Sequence, residues 1–315
     1  MRLGFAYVVL AGCSYVPGTG RVDARIDEAA IDAPPDTAID STFETTCYDQ
    51  WLANTIRFDT PVPITEVNSA GYDRDPFLTD DELTVYVASG RGGQGDVWIA
   101  KRLSVSGTFS TPVEASEFNS TSSESKLSMS ADRKVAVVGS DRPGSTGLDV
   151  WESIRLSVTD PWPAMNRNNV MMVETAGNEH DPTLSANAQH LYLAPDNPAP
   201  QHLAMATRAG NGIFGPAVEL TELNSGTGDA DPSPTSDERI LTFASNRTLD
   251  GAGGGDVWYA TRAMGSGPFN APLPVPDINT TAAEGDPHVS ANGCRIYFSR
   301  HLGNDNWDIF VATAQ

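Results

Sequence analysis

From Phe58 onward, apolar residues fall into short runs, each closed by a turn signal. The runs LTVYVAS, VAVVGS, LYLA, ILTFAS and RIYFS are rich in Val, Ile, Tyr and Phe and are bounded by Gly, Asn, Asp or Ser. Branched and aromatic side chains in short runs suit a pleated sheet. No segment carries convincing helical periodicity, so the pattern predicts an all-β chain.

The pattern also repeats. An acid-x-Asp-Pro segment occurs as Asp73-Arg74-Asp75-Pro76, Glu179-His180-Asp181-Pro182, Asp229-Ala230-Asp231-Pro232 and Glu284-Gly285-Asp286-Pro287, with a degraded copy at Glu124-Ser125-Lys126-Leu127. The central positions 75, 126, 181, 231 and 286 lie 51, 55, 50 and 55 residues apart. Four residues past each stands a hydroxyl (Thr79, Ser130, Ser185, Thr235, Ser290), and two further on an Asp or Asn (Asp81, Asp132, Asn187, Asp237, Asn292). These short polar side chains bond the nearby backbone and favour hairpin turns. A polar loop then leads to Asp96-Val97-Trp98, Asp149-Val150-Trp151, Asp256-Val257-Trp258 or Asp308-Ile309-Phe310. Finally a Phe and an Asn ten residues apart bracket an alternating stretch: Phe58 to Asn68, Phe109 to Asn119, Phe214 to Asn224 and Phe269 to Asn279.

Units of four short strands that cannot bury both faces alone pack face to face around an axis, which is a β-propeller. The repeated segments resemble the TolB-type, WD-like β-propeller repeat, over about Phe58 to Thr313. The resemblance implies that the Asp-Pro strand is innermost, followed by the aromatic run, the Asp-Val-Trp strand and the Phe-to-Asn strand. On that phasing the chain starts with an outermost strand and ends with a third one. The expectation is a five-bladed β-propeller of four-stranded blades, closed by the N-terminal outer strand pairing with the C-terminal blade. Cys47, just before the N-terminal strand, and Cys294, in the first hairpin of the last blade, then lie at one end of one blade. A Cys47–Cys294 disulfide would staple the closure.

Charge narrows the function classes. The chain has 315 residues, with 41 acidic against 20 basic side chains and a net charge of −21. No basic footprint is available to neutralise phosphates, which argues against nucleic acid and against attraction to anionic lipid. Three cysteines are too few for a disulfide scaffold and too scattered for a zinc site, so no metal or other cofactor is expected.

The N-terminus reads as an address. Met1 to Cys13 is MRLGFAYVVLAGC: Arg2, an apolar run from Leu3 to Leu10, and Leu10-Ala11-Gly12-Cys13, which resembles the bacterial lipobox. That resemblance implies a signal peptide over residues 1–12 and Cys13 as the lipid attachment site. Residues 13–46, rich in Asp, Ala, Thr and Pro, read as a disordered acidic tether, and residues 47–315 as the propeller. Ser14 after the Cys points to the outer membrane. The expected location is the bacterial cell envelope, with the N-terminal lipid as the one membrane contact.

The acid that opens each unit (Asp73, Glu124, Glu179, Asp229, Glu284) forms either a ring at the channel mouth, able to hold a cation or basic peptide, or a set of caps on backbone amides. Lys126 replaces the Asp of the other four units and, if it faces inward, joins them as a candidate binding residue. Arg91, Arg142 and Arg247 are expected to pair with Asp96, Asp149 and Asp256, and Trp98, Trp151, Trp258 and Phe310 to pack between blades. Unit three is irregular, with Met171-Met172, a Pro-rich exit from Ala194 to Pro200, and His180, His190 and His202.

No Gly-x-Ser-x-Gly or His-Glu-x-x-His occurs. The leading expectation is therefore a non-catalytic envelope lipoprotein whose propeller binds a protein, peptide or envelope glycan. A glycoside hydrolase or lyase using Asp75, Asp181, Asp231 and Asp286 is the first alternative. A calcium-dependent surface adhesin is the second.

Overall fold

The computed structural model describes residues 46–248 and 254–315. The expected signal peptide, Cys13 and the tether up to residue 45 lie outside the described residues.

Five antiparallel blades surround one axis, as the repeat implied. Blade one holds Asp73–Leu78, Thr84–Ser89, Asp96–Lys101 and Val113–Glu114, in that order from the axis outward. Blade two holds Glu124–Met129, Val135–Ser140 and Asp149–Ile154, its outer position reduced to a single bridge between Glu152 and Asn166. Blade three holds Glu179–Leu184, His190–Pro195, Ala204–Thr207 and Val218–Glu219; blade four holds Asp229–Pro234, Ile240–Ser245, Asp256–Thr261 and Leu273–Pro274. Blade five joins Glu284–Val289, Arg295–Gly303 and Asn306–Thr313 to the N-terminal strand Val62–Pro63. There Val62 pairs with Val311 and Pro63 with Phe310, which leaves no blade open at the closing seam.

The core is divided among the clefts between blades, because a twisted sheet that is apolar on both faces needs a neighbour on each. Between blades five and one lie Ile64, Val67, Val87, Tyr297 and Ile309; between blades three and four lie Tyr192, Leu203, Leu241 and Phe243. Trp98 and Trp258 sit in these clusters, and Trp151 against the cluster of blades one and two.

One helix, Cys47–Leu52, departs from the all-β expectation. Six residues are too short to display a period, but two local causes fix it. Thr46 and Asp49 form a reciprocal capping box, and Trp51 turns into the cleft between blades four and five. Trp51 is fully buried, contacts Phe58 and Tyr259, and donates from Nε1 to the Gly293 carbonyl at 2.9 Å. The helix also carries Cys47, which is bonded to Cys294 across 247 residues of chain.

Candidate functional site

Each inner strand opens on its acid, and in every blade that acid is buried. The carboxylate accepts the backbone N–H of a Ser or Thr four residues earlier: Ser69 to Asp73 at 2.5 Å, Ser120 to Glu124 at 3.0 Å, Thr175 to Glu179 at 2.8 Å, Ser225 to Asp229 at 2.6 Å and Thr280 to Glu284 at 3.0 Å. In four blades an arginine completes the arrangement: Arg91–Asp73 at 2.6 Å, Arg142–Glu124 at 3.0 Å, Arg247–Asp229 at 2.7 Å and Arg300–Glu284 at 2.7 Å.

These pairs correct the expected partnership. Arg91, Arg142 and Arg247 take the acid of the inner strand rather than Asp96, Asp149 and Asp256, because the end of the second strand lies directly beside the start of the first. Asp149 pairs instead with Arg167. Asp256 keeps one oxygen without a hydrogen bond among the described residues, and burial, with the Glu284 charge a smaller cause, pushes its carboxyl up to about 6. The aromatic residues Trp98, Trp151, Trp258 and Phe310 lie under the arginines, with guanidinium carbons 4.7 to 5.2 Å from the ring centres. Blade three has no such arginine. Its Glu179 retains an oxygen without a hydrogen-bond partner, and burial raises its carboxyl.

The opening acids thus sit within their own blades. The residues two places further on meet at the axis: Asp75, Lys126, Asp181, Asp231 and Asp286. Each inner strand has a register shift at this point. The four aspartates occupy the left-handed region, with φ between 53° and 57°, which Asp tolerates better than most residues. The bulge aims one backbone N–H at the preceding blade. Asp231 donates from N to the Asp181 carboxylate at 3.2 Å, and Asp286 from N to the Asp231 carboxylate at 2.9 Å. Asp286 is further held by Ser299 and by Arg74 Nε at 3.0 Å.

Oxygens of Asp75, Asp181 and Asp231 lie within 4.8 Å of one another, a spacing that could hold a cation. Lys126 already brings a positive charge there; its Nζ is buried without a hydrogen-bond partner among the described residues. Burial raises Asp75 and Asp231 well above the ordinary carboxylate range, and the neighbouring Asp286 and Asp181 charges add to it. Burial acts on Asp286 in the same sense, but Arg74 and then Lys126 outweigh it and hold that carboxyl low.

Two openings meet this cluster. On the side where the inner strands begin, a cavity of about 340 Å³ is lined by Tyr72, Arg74, Asp75, Ser125, Asp305 and Trp307. It exists because the second hairpin of blade five is extended, with strands of nine and eight residues where blades one, two and four have six. The extension places Trp307 between Arg74, 4.5 Å from its ring, and His301, 5.0 Å away. On the far side the channel narrows between Phe77, Thr183, Ser233 and His288. Burial, with Lys126 a smaller cause, pushes His288 down to about 3, so the ring is neutral.

Sequence reasoning did not single out Tyr72, Trp307 or His288. All three break the repeat, Tyr72 standing where the other units have Ser123, Asn178, Gly228 and Ala283, and that was the available signal. The unit-three irregularities are spread apart: His190 joins Glu238 at 2.7 Å, His202 lies 3.7 Å from Glu219, and Met171 and Met172 are exposed.

No family model and no curated protein matches the chain. Among solved structures, TolB from Acinetobacter baumannii is similar at 13% identity and a TM-score of 0.47 over 79% of this chain, which spans 56% of that structure's length. The catalytic domain of the GH62 α-L-arabinofuranosidase from Coprinopsis cinerea is similar at 13% identity and a TM-score of 0.55, over 82% of this chain and 97% of its own. A family 117 glycoside hydrolase from the marine bacterium Zobellia galactanivorans is similar at 13% identity and a TM-score of 0.51, over 82% of this chain and 90% of its own. At such identities the likeness is one of fold alone, and a propeller fold hosts many unrelated functions.

Proposed function

We propose that the protein is a non-catalytic binding propeller of the bacterial cell envelope, held to the membrane by lipid on Cys13, with the outer membrane as its site. It takes an envelope protein, peptide or glycan at the axial mouth, between Tyr72, Arg74 and Trp307. One observation carries this reading: an open cavity with an aromatic and a cationic wall stands over the axial ring, in which Asp181, Asp231 and Asp286 each spend a carboxylate oxygen on a hydrogen bond within the protein. A general acid or base must reach its substrate, and Asp75, Asp231 and Asp286 are 7%, 4% and 1% exposed. Glycosidic carboxylates flank a sugar at roughly 5 to 9.5 Å. Asp75, Asp181 and Asp231 are drawn within 4.8 Å of one another at their nearest oxygens, closer than that spacing.

The hydrolase reading has one observation in its favour. Asp75 and Asp231 are raised while Asp286 is lowered, the kind of split that separates an acid from a base. The calcium reading rests on the same three oxygens, with Lys126 set against it.

The test is a pull-down from envelope extract and a sedimentation assay with peptidoglycan, using the wild type and Trp307→Ala. The proposal expects one envelope component to be retained by the wild type and lost by the variant. Equal retention by both would overturn the assignment to the mouth.

A further inference from the structure

Four arginines follow the third strand at one repeat position: Arg102, Arg155, Arg208 and Arg262. All four are built in alike. Nε donates to the backbone carbonyl of Glu82, Arg133, Ala188 or Glu238 in the first hairpin of the same blade. The guanidinium lies 4.0 to 4.4 Å from the ring centre of Phe109, Trp162, Phe214 or Phe269. Fixed in this way, each turns a terminal nitrogen toward the cleft shared with the preceding blade.

In three clefts the chain itself supplies a glutamate. Between blades five and one, Glu82 accepts from Tyr297 at 2.6 Å and from Arg295 at 3.1 Å, with Arg102 at 3.7 Å. Between blades three and four, Glu238 accepts from Tyr192 at 2.6 Å and lies 2.7 Å from His190 and 3.5 Å from Arg262. Between blades two and three, Glu152 of the third strand pairs with Arg208 and accepts from Asn169 at 2.7 Å.

The cleft between blades one and two keeps the donors and lacks the acid. Tyr86 stands where Tyr297 and Tyr192 stand, and Arg155 where Arg102 and Arg262 stand. Arg133 takes the place of the hairpin glutamate, and Ile99 that of Glu152. Arg155 bonds only the carbonyls of Arg133 and Asp160, and the Tyr86 hydroxyl has no hydrogen bond among the described residues. A cavity of about 480 Å³ lies between them, with Lys101 and Trp162 also on its wall. Three cations therefore gather around one opening on a chain whose net charge is −21. Glu117 also borders the cavity, but it is exposed and makes no ion pair among the described residues.

We propose that this cleft receives a carboxylate from another molecule: the side chain of a glutamate on a partner polypeptide, seated as Glu82 and Glu238 are seated in theirs. Arg155 and the Tyr86 hydroxyl supply charge-assisted hydrogen bonds, and Lys101 and Arg133 supply the surrounding positive field. Pocket and mouth both draw on blades one and two but have no lining residue in common, so this site is distinct from the one assigned to the axial opening.

The experiment is a calorimetric titration of the full-length protein with acetyl-Gly-Glu-Gly-amide, with its Gln counterpart, and with glucuronate. The Glu peptide should bind roughly tenfold or more tightly than the Gln peptide, the scale of one charge-assisted hydrogen bond, and Tyr86→Phe should weaken it severalfold. Arg133→Glu returns the missing acid at a φ of 53°, matching the 55° of Glu82 and 58° of Glu238. It should abolish peptide binding and raise the melting temperature. Failure of the Glu peptide to bind, equal binding of both peptides, unchanged binding by Arg133→Glu, or binding of glucuronate alone would each overturn the proposal. Should Arg133→Glu fail to fold, the Glu-against-Gln comparison and Tyr86→Phe still decide it.

Discussion

Arg74 of blade one donates through Nε to the Asp286 carboxylate of blade five at 3.0 Å, so an ion pair joins the first and last blades beside the axis. Asp286 is 1% exposed, whereas the Arg74 side chain is 39% exposed and rests against Trp307. Removing the arginine leaves a buried carboxylate without its main counter-charge. Arg74→Met should cost about 1–2 kcal/mol of stability, well under the figure for a fully buried pair because solvent reaches the guanidinium. Urea unfolding checks it; an unchanged midpoint would mean that Lys126 and Ser299 suffice for Asp286.

The blade-internal pairs give a contrast within one molecule. Glu124 accepts from Ser120, Ser140 and Arg142, and the arginine side chain is 11% exposed. Glu179 fills the same place in blade three without an arginine. Glu124→Gln strands Arg142 and should cost about 2–4 kcal/mol. Glu179→Gln should stay within about 1 kcal/mol of wild type, since neutralising a carboxyl that burial already raises relieves desolvation. Denaturant midpoints of the two variants measure the difference.

Stability should rise on mild acidification. Asp75, Asp231 and Asp256 have raised carboxyls in the folded state, so the folded protein binds protons first and stability is lost as pH rises through those values. Asp286 works oppositely: its contribution is present above the ordinary carboxylate range and lost only at strongly acidic pH. The melting temperature should therefore increase from pH 7.5 to 5. Asp256→Asn should remove the part of that change centred near 6, worth about 1 kcal/mol between pH 7.5 and 5. A flat profile for the wild type would contradict the burial of these groups.

Lys126 supplies the positive charge that three neighbouring aspartates would otherwise draw from solution. Wild-type protein should melt at the same temperature in calcium and in chelator. Lys126→Met should melt lower and gain stability from added calcium. A chelator-sensitive wild type would favour the adhesin reading.

The disulfide spans 247 residues, and by chain-entropy arithmetic its loss costs about 5 kcal/mol at most. The Cys47→Ser, Cys294→Ser double variant should unfold at lower urea, and its N-terminal strand should exchange amide hydrogens faster than the inner strands. An unaltered midpoint would show that Trp51 and the Val62–Pro63 pairing close the ring unaided.

Blade number was legible from the repeat itself; strand order, and with it the closure and the disulfide, followed from the phase that the resemblance to the TolB-type repeat implied. The helix at Cys47–Leu52 was not, since a single turn and a half has no period and its cause is a cleft 242 residues away in sequence, where Trp51 meets Gly293. The site was partly legible. Counting from Asp-Pro located the axial residues, Lys126 included, but could not say which of two acids per blade faces the axis; the bulge at Asp75 and its equivalents decides that. Arg91 and Asp96 are near neighbours in sequence, which suggested the wrong pair, because strand pairing brings Asp73 opposite Ser89.

The most direct test of binding without turnover sets two readings side by side: retention of envelope material by the full-length protein, and release of reducing sugar from envelope and plant polysaccharides. The account predicts retention that depends on Trp307 and no sugar release by the wild type. Sugar release that disappears in Asp75→Asn or Asp231→Asn would contradict it and make the axial carboxylates a catalytic pair.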